Sequence, residues 1–386
     1  MTALLDSTRA TATAEALIAT PNGPPGSLVG IRHRNRTVLA ATGACNSSGD
    51  PLTTETIFDL ASLTKIAVTT TLLRLATLGS LRWDDLLGDY LPGTACHPDT
   101  TLRDLLTHRA GLWEWQPLYL ANDDPWCALT RLPLRYRPRT ARHYSDLGFL
   151  LAGRVIEKVT GTHLADAMTQ FLTEPLGMSH TGYGPVRGPV AASSCGDASE
   201  REMVASGSPY PMVLSGATLR QAEFPWREQE LIGEVNDGNC AHAFGGVAGH
   251  AGLFGTANDL LVLASALATA AAPPDRATTA RSGAPELWSR ALTVDTCRDG
   301  PDLGQALGWR SRDILLPDGV HRLLWHPGFT GVAVGFIPDA DIALVMLTNR
   351  LLTPRPVPTD ELWQRVCAGL LGATAHTTSA RPVSAP

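Results

Sequence analysis

Residues 58–65 read Phe-Asp-Leu-Ala-Ser-Leu-Thr-Lys and open a stretch whose apolar residues recur at helical spacing over 63–78 and stop at Gly79. Ser62 and Lys65 are three positions apart, so both side chains lie on one face of the predicted helix. A serine hydroxyl needs a neighbouring base to act as a nucleophile, and a lysine becomes one when burial lowers its pKa. The apolar neighbours of Lys65 predict that burial. The segment also fits an ordinary core helix whose lysine extends to solvent.

A second motif, residues 142–149, reads Arg-His-Tyr-Ser-Asp-Leu-Gly-Phe. Asp146 begins a predicted helix over 146–160, and Tyr144 lies two residues before it. Tyr144 is a candidate to share a proton with Ser62 and Lys65. The same residues also fit a helix N-cap at Ser145 or Asp146 that is preceded by a packing tyrosine.

A third motif, residues 325–331, reads Trp-His-Pro-Gly-Phe-Thr-Gly. Glycines beside a strand let a substrate approach the backbone closely. The backbone N–H groups of Phe329 and Ser62 would then form an oxyanion hole. A bulge or turn between two strands explains the motif equally well.

Strand patterns lie at both ends of the chain and helical patterns in the middle. Strands are predicted over 27–33, 37–42, 321–325, 331–337 and 341–348, and helices over 101–107, 146–160, 164–172, 258–271 and 362–371. Residues 180–255 are rich in glycine, proline and serine and predict long loops. The pattern predicts an α+β fold, in which the N- and C-terminal segments form an antiparallel sheet flanked by helices. We expect a sheet subdomain over 12–78 and 256–372, a mostly helical, loop-rich insertion over 79–255, and disordered tails over 1–11 and 373–386.

In their order and spacing, the three motifs resemble those of the β-lactamase-like serine hydrolases, which include class C β-lactamases, D-Ala-D-Ala carboxypeptidases and S-x-x-K esterases. Residues 105–112 (LLTHRAGL), 144–153 (YSDLGFLLAG) and 245–254 (GGVAGHAGLF) also resemble segments of that superfamily. The similarity extends over about residues 20–372. It implies that Ser62 attacks a carbonyl, that Lys65 and Tyr144 take its proton, and that the N–H groups of Ser62 and Phe329 hold the oxyanion of an acyl-enzyme reaction.

Two departures from the β-lactamase pattern affect the expected substrate. Asp146 replaces the usual asparagine, and His326-Pro327-Gly328 replaces the Lys-Thr-Gly that binds a substrate carboxylate. Proline lacks a hydroxyl, histidine is mostly uncharged near neutral pH, and an Asp146 that faces the pocket would repel a carboxylate. An ester or amide without a free carboxylate is therefore favoured. The residues expected to bind it are Asp146, His326, Gly328, Trp113 and His250.

Composition excludes several other functions. The 386 residues carry a net charge of −6 without a basic stripe, which argues against nucleic acid as a partner. No apolar run reaches membrane-spanning length and no signal peptide is recognisable, so a cytoplasmic location is expected. The seven cysteines are scattered and fit reduced thiols. Paired Cys/His spacing is absent, so neither a metal nor another cofactor is expected.

The sequence therefore predicts a serine acyl-transfer enzyme that cleaves a small ester or amide through an acyl-enzyme on Ser62. Three alternatives stay open. A transacylase would pass the acyl group to an amine or alcohol, a β-lactamase or D,D-peptidase would hydrolyse a carboxylate-bearing substrate, and a sensor would keep the fold without turnover. The oligomeric state is not encoded in these motifs.

Overall fold

The N-terminal hairpin forms as its alternating apolar residues predict. In the computed structural model, which describes residues 5–214, 220–273 and 287–372 and the backbone of 374–375, the strands Gly26–His33 and Arg36–Gly43 pair antiparallel. Arg34 turns the chain in the left-handed region, with φ of 57°. The predicted hairpin is confirmed.

The strands of the described residues fall into one large sheet and two small ones. In chain order they are β1 (Gly26–His33), β2 (Arg36–Gly43), β3 (Phe58–Asp59), β4 (Gly182–Tyr183), β5 (Ala192–Cys195), β6 (Glu230–Ile232), β7 (Leu253–Gly255), β8 (Arg310–Leu316), β9 (Gly319–Gly328), β10 (Val332–Ile337), β11 (Ile342–Thr348) and β12 (Thr374–Ala375). The large sheet has the order β12-β8-β9-β10-β11-β1-β2 and is antiparallel throughout. Strand β1 pairs with β11, with Leu28 opposite Leu347, so the two ends of the chain meet inside one sheet.

Helices surround this sheet and fill the middle of the chain. The α-helices are α1 (Ser7–Ile18), α2 (Thr64–Thr77), α3 (Leu87–Tyr90), α4 (Leu102–Leu106), α5 (Pro125–Arg131), α6 (Asp146–Thr160), α7 (Leu164–Met168), α8 (Glu174–Leu176), α9 (Ala198–Ser206), α10 (Ala257–Ala271), α11 (Arg290–Thr296) and α12 (Thr359–Leu371). A π-helical turn, Thr169–Thr173, joins α7 to α8, and 3-10 turns lie at Ala61–Leu63, Leu118–Leu120 and Pro338–Ala340. A second π-helical turn spans Asn239–Ala243. The predicted α+β architecture is confirmed.

Alternating strand residues give the sheet two apolar faces. On one face, Val29 and Ile31 of β1 belong to a core that includes Leu17 of α1 and Trp363 of α12. On the other face, Leu28 belongs to the larger core that contains α10 and the helices of the central segment. Helices α2 and α6, with Ile66 just after the first motif and Leu147 and Phe149 of the second, lie on this second side.

The expectation of a disordered N-terminal tail is wrong for residues 7–11, which form the first turns of α1. The Asp6 side chain caps this helix by accepting a hydrogen bond from the Thr8 N–H at 2.9 Å. Ala10, Ala14 and Leu17 are buried against the sheet at helical spacing. Residues 374–375 pair with β8, so they are not part of a disordered tail either. Residues 5 and 6 directly precede α1, and the rest of the two expected tails, 1–4, 373 and 376–386, lies outside the described residues.

Residues 180–255 are less irregular than their composition predicts. They contain α9, the short strands β4, β5, β6 and β7, and the π-helical turn. Strand β7 pairs with β3, immediately before the Ser62 turn, which brings this segment against the first motif. Among the described residues, no helix has the length and apolar character needed to cross a bilayer.

Candidate active site

Ser62 lies in the 3-10 turn that leads into α2, and the side chain of Asp59 fixes this turn. Asp59 Oδ1 accepts a hydrogen bond from the Ala61 N–H at 2.8 Å, and its Oδ2 accepts one from the Asn236 N–H at 2.6 Å. The Thr330 hydroxyl donates to the Asp59 carbonyl at 2.9 Å. Ala61 has φ of 45°, a conformation that costs a non-glycine residue free energy and that these contacts hold in place.

Asp59 should make stability depend on pH. Burial raises its pKa to about 6, above the value of an unfolded aspartate, so protonation favours the folded state. This contribution is complete below about pH 4 and is lost as the pH rises through about 6. We expect the unfolding free energy of the wild type, relative to that of the non-titrating Asp59→Asn variant, to fall by about 3 kcal/mol between a pH well below 4 and a pH well above 6. Urea unfolding at both pH values measures it, and a pH-independent difference would contradict this assignment.

Lys65 is completely buried one turn after Ser62. Its Nζ donates to Ser62 Oγ at 2.8 Å and to the His250 carbonyl at 3.2 Å. The same Nζ lies 2.7 Å from Asp146 Oδ1, an ion pair in which that oxygen makes no hydrogen bond of standard geometry. The expected nucleophile and its expected proton partner are therefore in direct contact.

The expectation that burial lowers the pKa of Lys65 is wrong. Burial alone would lower this pKa, but the charge of Asp146, with a further contribution from Tyr144, outweighs it and raises the pKa well above its ordinary value. The apolar sequence around Lys65 identified the burial but not the carboxylate that faces the ammonium. Asp146, expected to bind substrate, is thus first of all the partner of Lys65.

The N-terminus of α6 places Tyr144 and Asp146 beside Lys65. The Ser145 hydroxyl caps the helix by accepting from the Gly148 N–H at 3.1 Å and donates to the Trp113 carbonyl at 2.6 Å. The Tyr144 ring packs on His108, with 4.4 Å between the ring centroids. Lys65 Nζ lies 5.0 Å from the centroid of the Tyr144 ring. The predicted N-cap at Ser145 is therefore confirmed, and the same segment places Tyr144 near Lys65. Proton sharing by Tyr144 stays a prediction.

The end of β9 contacts the turn that carries Ser62. A Cβ on Gly328 would lie 2.9 Å from the Leu60 carbonyl oxygen, so only glycine allows this approach. Phe329 follows directly, with a half-exposed ring under the Arg350 guanidinium and its carbonyl accepting from Arg350 at 2.7 Å. The oxyanion hole expected from the N–H groups of Phe329 and Ser62 stays a prediction.

His326 is buried and uncharged. Burial, reinforced by the charges of Arg310 and Lys65, holds its pKa well below the ordinary value for histidine. Its Nδ1 lies 2.7 Å from the Pro327 carbonyl oxygen, and its ring centroid lies 6.0 Å from that of Tyr144. The position that carries a lysine in the β-lactamase pattern therefore offers no positive charge here.

Two other expected substrate contacts are engaged with protein groups. The Trp113 indole N–H donates to the Pro133 carbonyl at 2.9 Å, and the Arg135 guanidinium lies 4.7 Å from the ring centroid. His250 is 1% exposed, and its Nε2 lies 2.8 Å from Asp237 Oδ1. His250 therefore contacts the site through its carbonyl, behind Lys65. Substrate binding by these side chains stays a prediction.

Sequence reasoning missed two acidic residues that shape the site. Asp59 is part of the first motif, and its position three residues before Ser62 fits a side chain that caps the following turn. Asp237 lies in the glycine-rich segment before His250 and had no local signal. Its contact with His250 depends on how two distant parts of that segment fold together.

Comparison with known proteins agrees with this geometry. Residues 14–366 match the sequence model of the family described as Beta-lactamase. The chain belongs to the β-lactamase family. It is 29% identical over 326 residues to an N-acetylmuramyl-L-alanine amidase of Bacillus subtilis (strain 168), covering 78% of this chain and 69% of that protein. It is also 29% identical over 331 residues to a putative D-alanyl-D-alanine carboxypeptidase of Escherichia coli (strain K12), covering 78% and 71%.

The same architecture occurs in solved structures. One is EstCE1, a hydrolase with promiscuous acyltransferase activity, with a TM-score of 0.66, 20% identity, and coverage of 96% of this chain and 99% of that one. At that identity the similarity concerns the fold alone. As a member of the β-lactamase family, this protein is a serine hydrolase.

Proposed function

We propose that this β-lactamase-family protein cleaves a small ester or amide through an acyl-enzyme on Ser62. The observation that carries the proposal is the 2.8 Å contact between Ser62 Oγ and Nζ of the fully buried Lys65, beside Tyr144. A serine so held, at the start of a buried helix, has the environment of an activated nucleophile. Attack on a carbonyl would form the acyl-enzyme, with the oxyanion received by the N–H groups of Ser62 and Phe329.

The walls of the site favour a substrate without a free carboxylate. His326 is neutral, Pro327 carries no hydroxyl, and the carboxylate of Asp146 lies beside the nucleophile. A carboxylate-bearing β-lactam would lack the charge-assisted hydrogen bond that a lysine gives, which is worth about 1.5–3 kcal/mol, or about 10- to 100-fold in kcat/KM. One relative is named as an amidase and another as a putative D-alanyl-D-alanine carboxypeptidase. Amides, and peptides that end in a carboxylate, should therefore be tested as substrates as well.

Transfer to an amine or alcohol is the second candidate function. The half-exposed Phe329 ring is an apolar surface beside the expected oxyanion hole, where an organic acceptor can displace water. The acyltransferase activity named for EstCE1, which has the same fold, makes this candidate worth testing. The cytoplasmic location also stays a prediction.

A substrate panel tests the proposal. We expect p-nitrophenyl butyrate to be turned over in a Ser62-dependent reaction, and nitrocefin, a carboxylate-bearing β-lactam, to react at least about tenfold less efficiently. The Ser62→Ala variant is the matched control for both. Adding a primary amine separates hydrolysis from transacylation, because only transacylation yields the amide. A clear preference for nitrocefin or a D-Ala-D-Ala peptide would overturn the proposed substrate class.

A further inference from the structure

We infer that Thr359, the first residue of α12, is a positioning residue whose hydroxyl orients and polarises the peptide group that gives the oxyanion hole its Phe329 N–H. The residue lies outside the three catalytic motifs. The inference deepens the proposed function and rests on it, because the hole acts only if Ser62 forms an acyl-enzyme.

The contact joins α12 to the end of β9. Thr359 is 7% exposed, and its hydroxyl donates to the Gly328 carbonyl at 3.2 Å. The Gly331 N–H donates to the same carbonyl at 3.1 Å. This carbonyl and the Phe329 N–H belong to one planar trans peptide group, so they point in opposite directions. Donors that fix the carbonyl therefore also fix the direction of the N–H.

The N–H fixed in this way lies beside the turn that carries Ser62. Gly328 contacts that turn closely enough to exclude any side chain at its position. The Thr330 hydroxyl donates to the Asp59 carbonyl at 2.9 Å, which joins the next residues of the chain to the same turn. Among the groups that the structure describes, the Phe329 N–H has no protein acceptor. It is therefore available to a substrate oxygen.

A second side chain holds the peptide group on the other side of Phe329. The guanidinium of Arg350, which is 8% exposed, donates to the Phe329 carbonyl at 2.7 Å and to the Val357 carbonyl at 3.3 Å. Val357 lies two residues before Thr359. Both peptide groups of Phe329 are thus held by the segment that begins α12.

The hydroxyl of Thr359 should act on the transition state more than on the bound substrate. A hydrogen bond accepted by a carbonyl polarises its peptide group and makes the N–H of that group a stronger donor. The stronger donor matters most when a full negative charge develops on the substrate oxygen. Loss of the hydroxyl should therefore slow acylation without weakening ester binding, whereas a threonine with a structural role alone would affect only stability.

The Thr359→Val variant tests this, because valine keeps the branched shape and removes the hydroxyl. Single-turnover release of p-nitrophenol from p-nitrophenyl butyrate separates the acylation rate constant from the dissociation constant of the ester. We expect the rate constant to fall about tenfold, less than the 10²- to 10³-fold that loss of a direct donor costs, and the dissociation constant to stay unchanged. The inhibition constant of n-butylboronic acid, which binds a serine oxygen as a tetrahedral adduct, should rise by a similar factor.

Two further variants separate this role from packing. Thr359→Ser keeps the hydroxyl and should recover most of the acylation rate. Thr348→Val is the matched control, because the Thr348 hydroxyl is equally buried and donates to the Gly331 carbonyl at 2.7 Å in the same turn. The peptide group that it contacts offers no N–H to the hole. Thr348→Val should lose stability in urea unfolding and keep the wild-type acylation rate.

The outcomes distinguish the inference from the proposed function. Equal acylation rates for Thr359→Val and Thr348→Val, or a Thr359→Ser variant as slow as Thr359→Val, would overturn the inference and leave the proposed function intact. A wild type without Ser62-dependent release would overturn both. If Thr359→Val does not fold by circular dichroism, Thr359→Ala and Thr359→Ser make the same comparison, since they differ only in the hydroxyl.

Discussion

Replacing Lys65 with methionine should lower the acylation rate by at least about 10³-fold and destabilise the fold by about 3 kcal/mol. The first effect follows because Ser62 loses the amine that donates to its oxygen at 2.8 Å and that lies 5.0 Å from the centroid of the Tyr144 ring. The second follows because Asp146 would remain as an unpaired carboxylate in the wall of the site. Single-turnover release of p-nitrophenol and urea unfolding measure the two effects.

The double variant Lys65→Met/Asp146→Asn separates stability from catalysis. It removes both charges of the pair, so most of the lost stability should return, whereas activity should not. A single Lys65→Met variant that is as stable as the wild type would contradict the ion pair. Recovery of activity in the double variant would show that Lys65 has no role beyond compensating Asp146.

Tyr144→Phe should reduce the acylation rate by about 10²- to 10⁴-fold, the usual contribution of a positioned acid–base group. Phenylalanine keeps the ring that packs on His108 at 4.4 Å and removes only the hydroxyl. We therefore expect kcat/KM to fall while the unfolding free energy changes little. Rapid-mixing measurements of the acylation step distinguish this loss from slower deacylation.

Tyr90→Phe is the matched control for this experiment. Tyr90 lies at the end of α3 and donates its hydroxyl to Asp85, within that local segment. It should keep wild-type activity. Full activity of Tyr144→Phe would exclude Tyr144 from the transfer of the Ser62 proton.

Local patterns predicted the elements that carry strong periodicity. Helix α6 has the predicted bounds, Asp146–Thr160, because its apolar face is continuous and Ser145 caps it. Helix α1 was not predicted because its buried face consists mostly of alanine and threonine, which give only a weak apolar periodicity. Strand β8 was missed because Arg310–Leu316 mixes charged and apolar residues near the edge of the sheet.

The site was predictable as a set of motifs but not as a charge distribution. The order and spacing of the motifs predicted that Ser62, Lys65 and Tyr144 share one site. In the structure, Lys65 contacts Ser62 and lies against the Tyr144 ring. The state of Lys65 depends on Asp146, which is far away in sequence, and on a carbonyl from the 245–254 loop. Such contacts are set by tertiary packing, so apolar neighbours alone suggested the opposite pKa shift.

The acyl-enzyme itself provides the most direct test of the account. Trypsin cuts after Arg36 and Lys65, so the fragment 37–65 carries Ser62. After brief reaction with p-nitrophenyl butyrate and acid quench, tandem mass spectrometry should find one butyryl group on Ser62 of this fragment. The Ser62→Ala protein should carry none. A butyryl group on another residue, or equal labelling of Ser62→Ala, would contradict the assignment of Ser62 as the nucleophile.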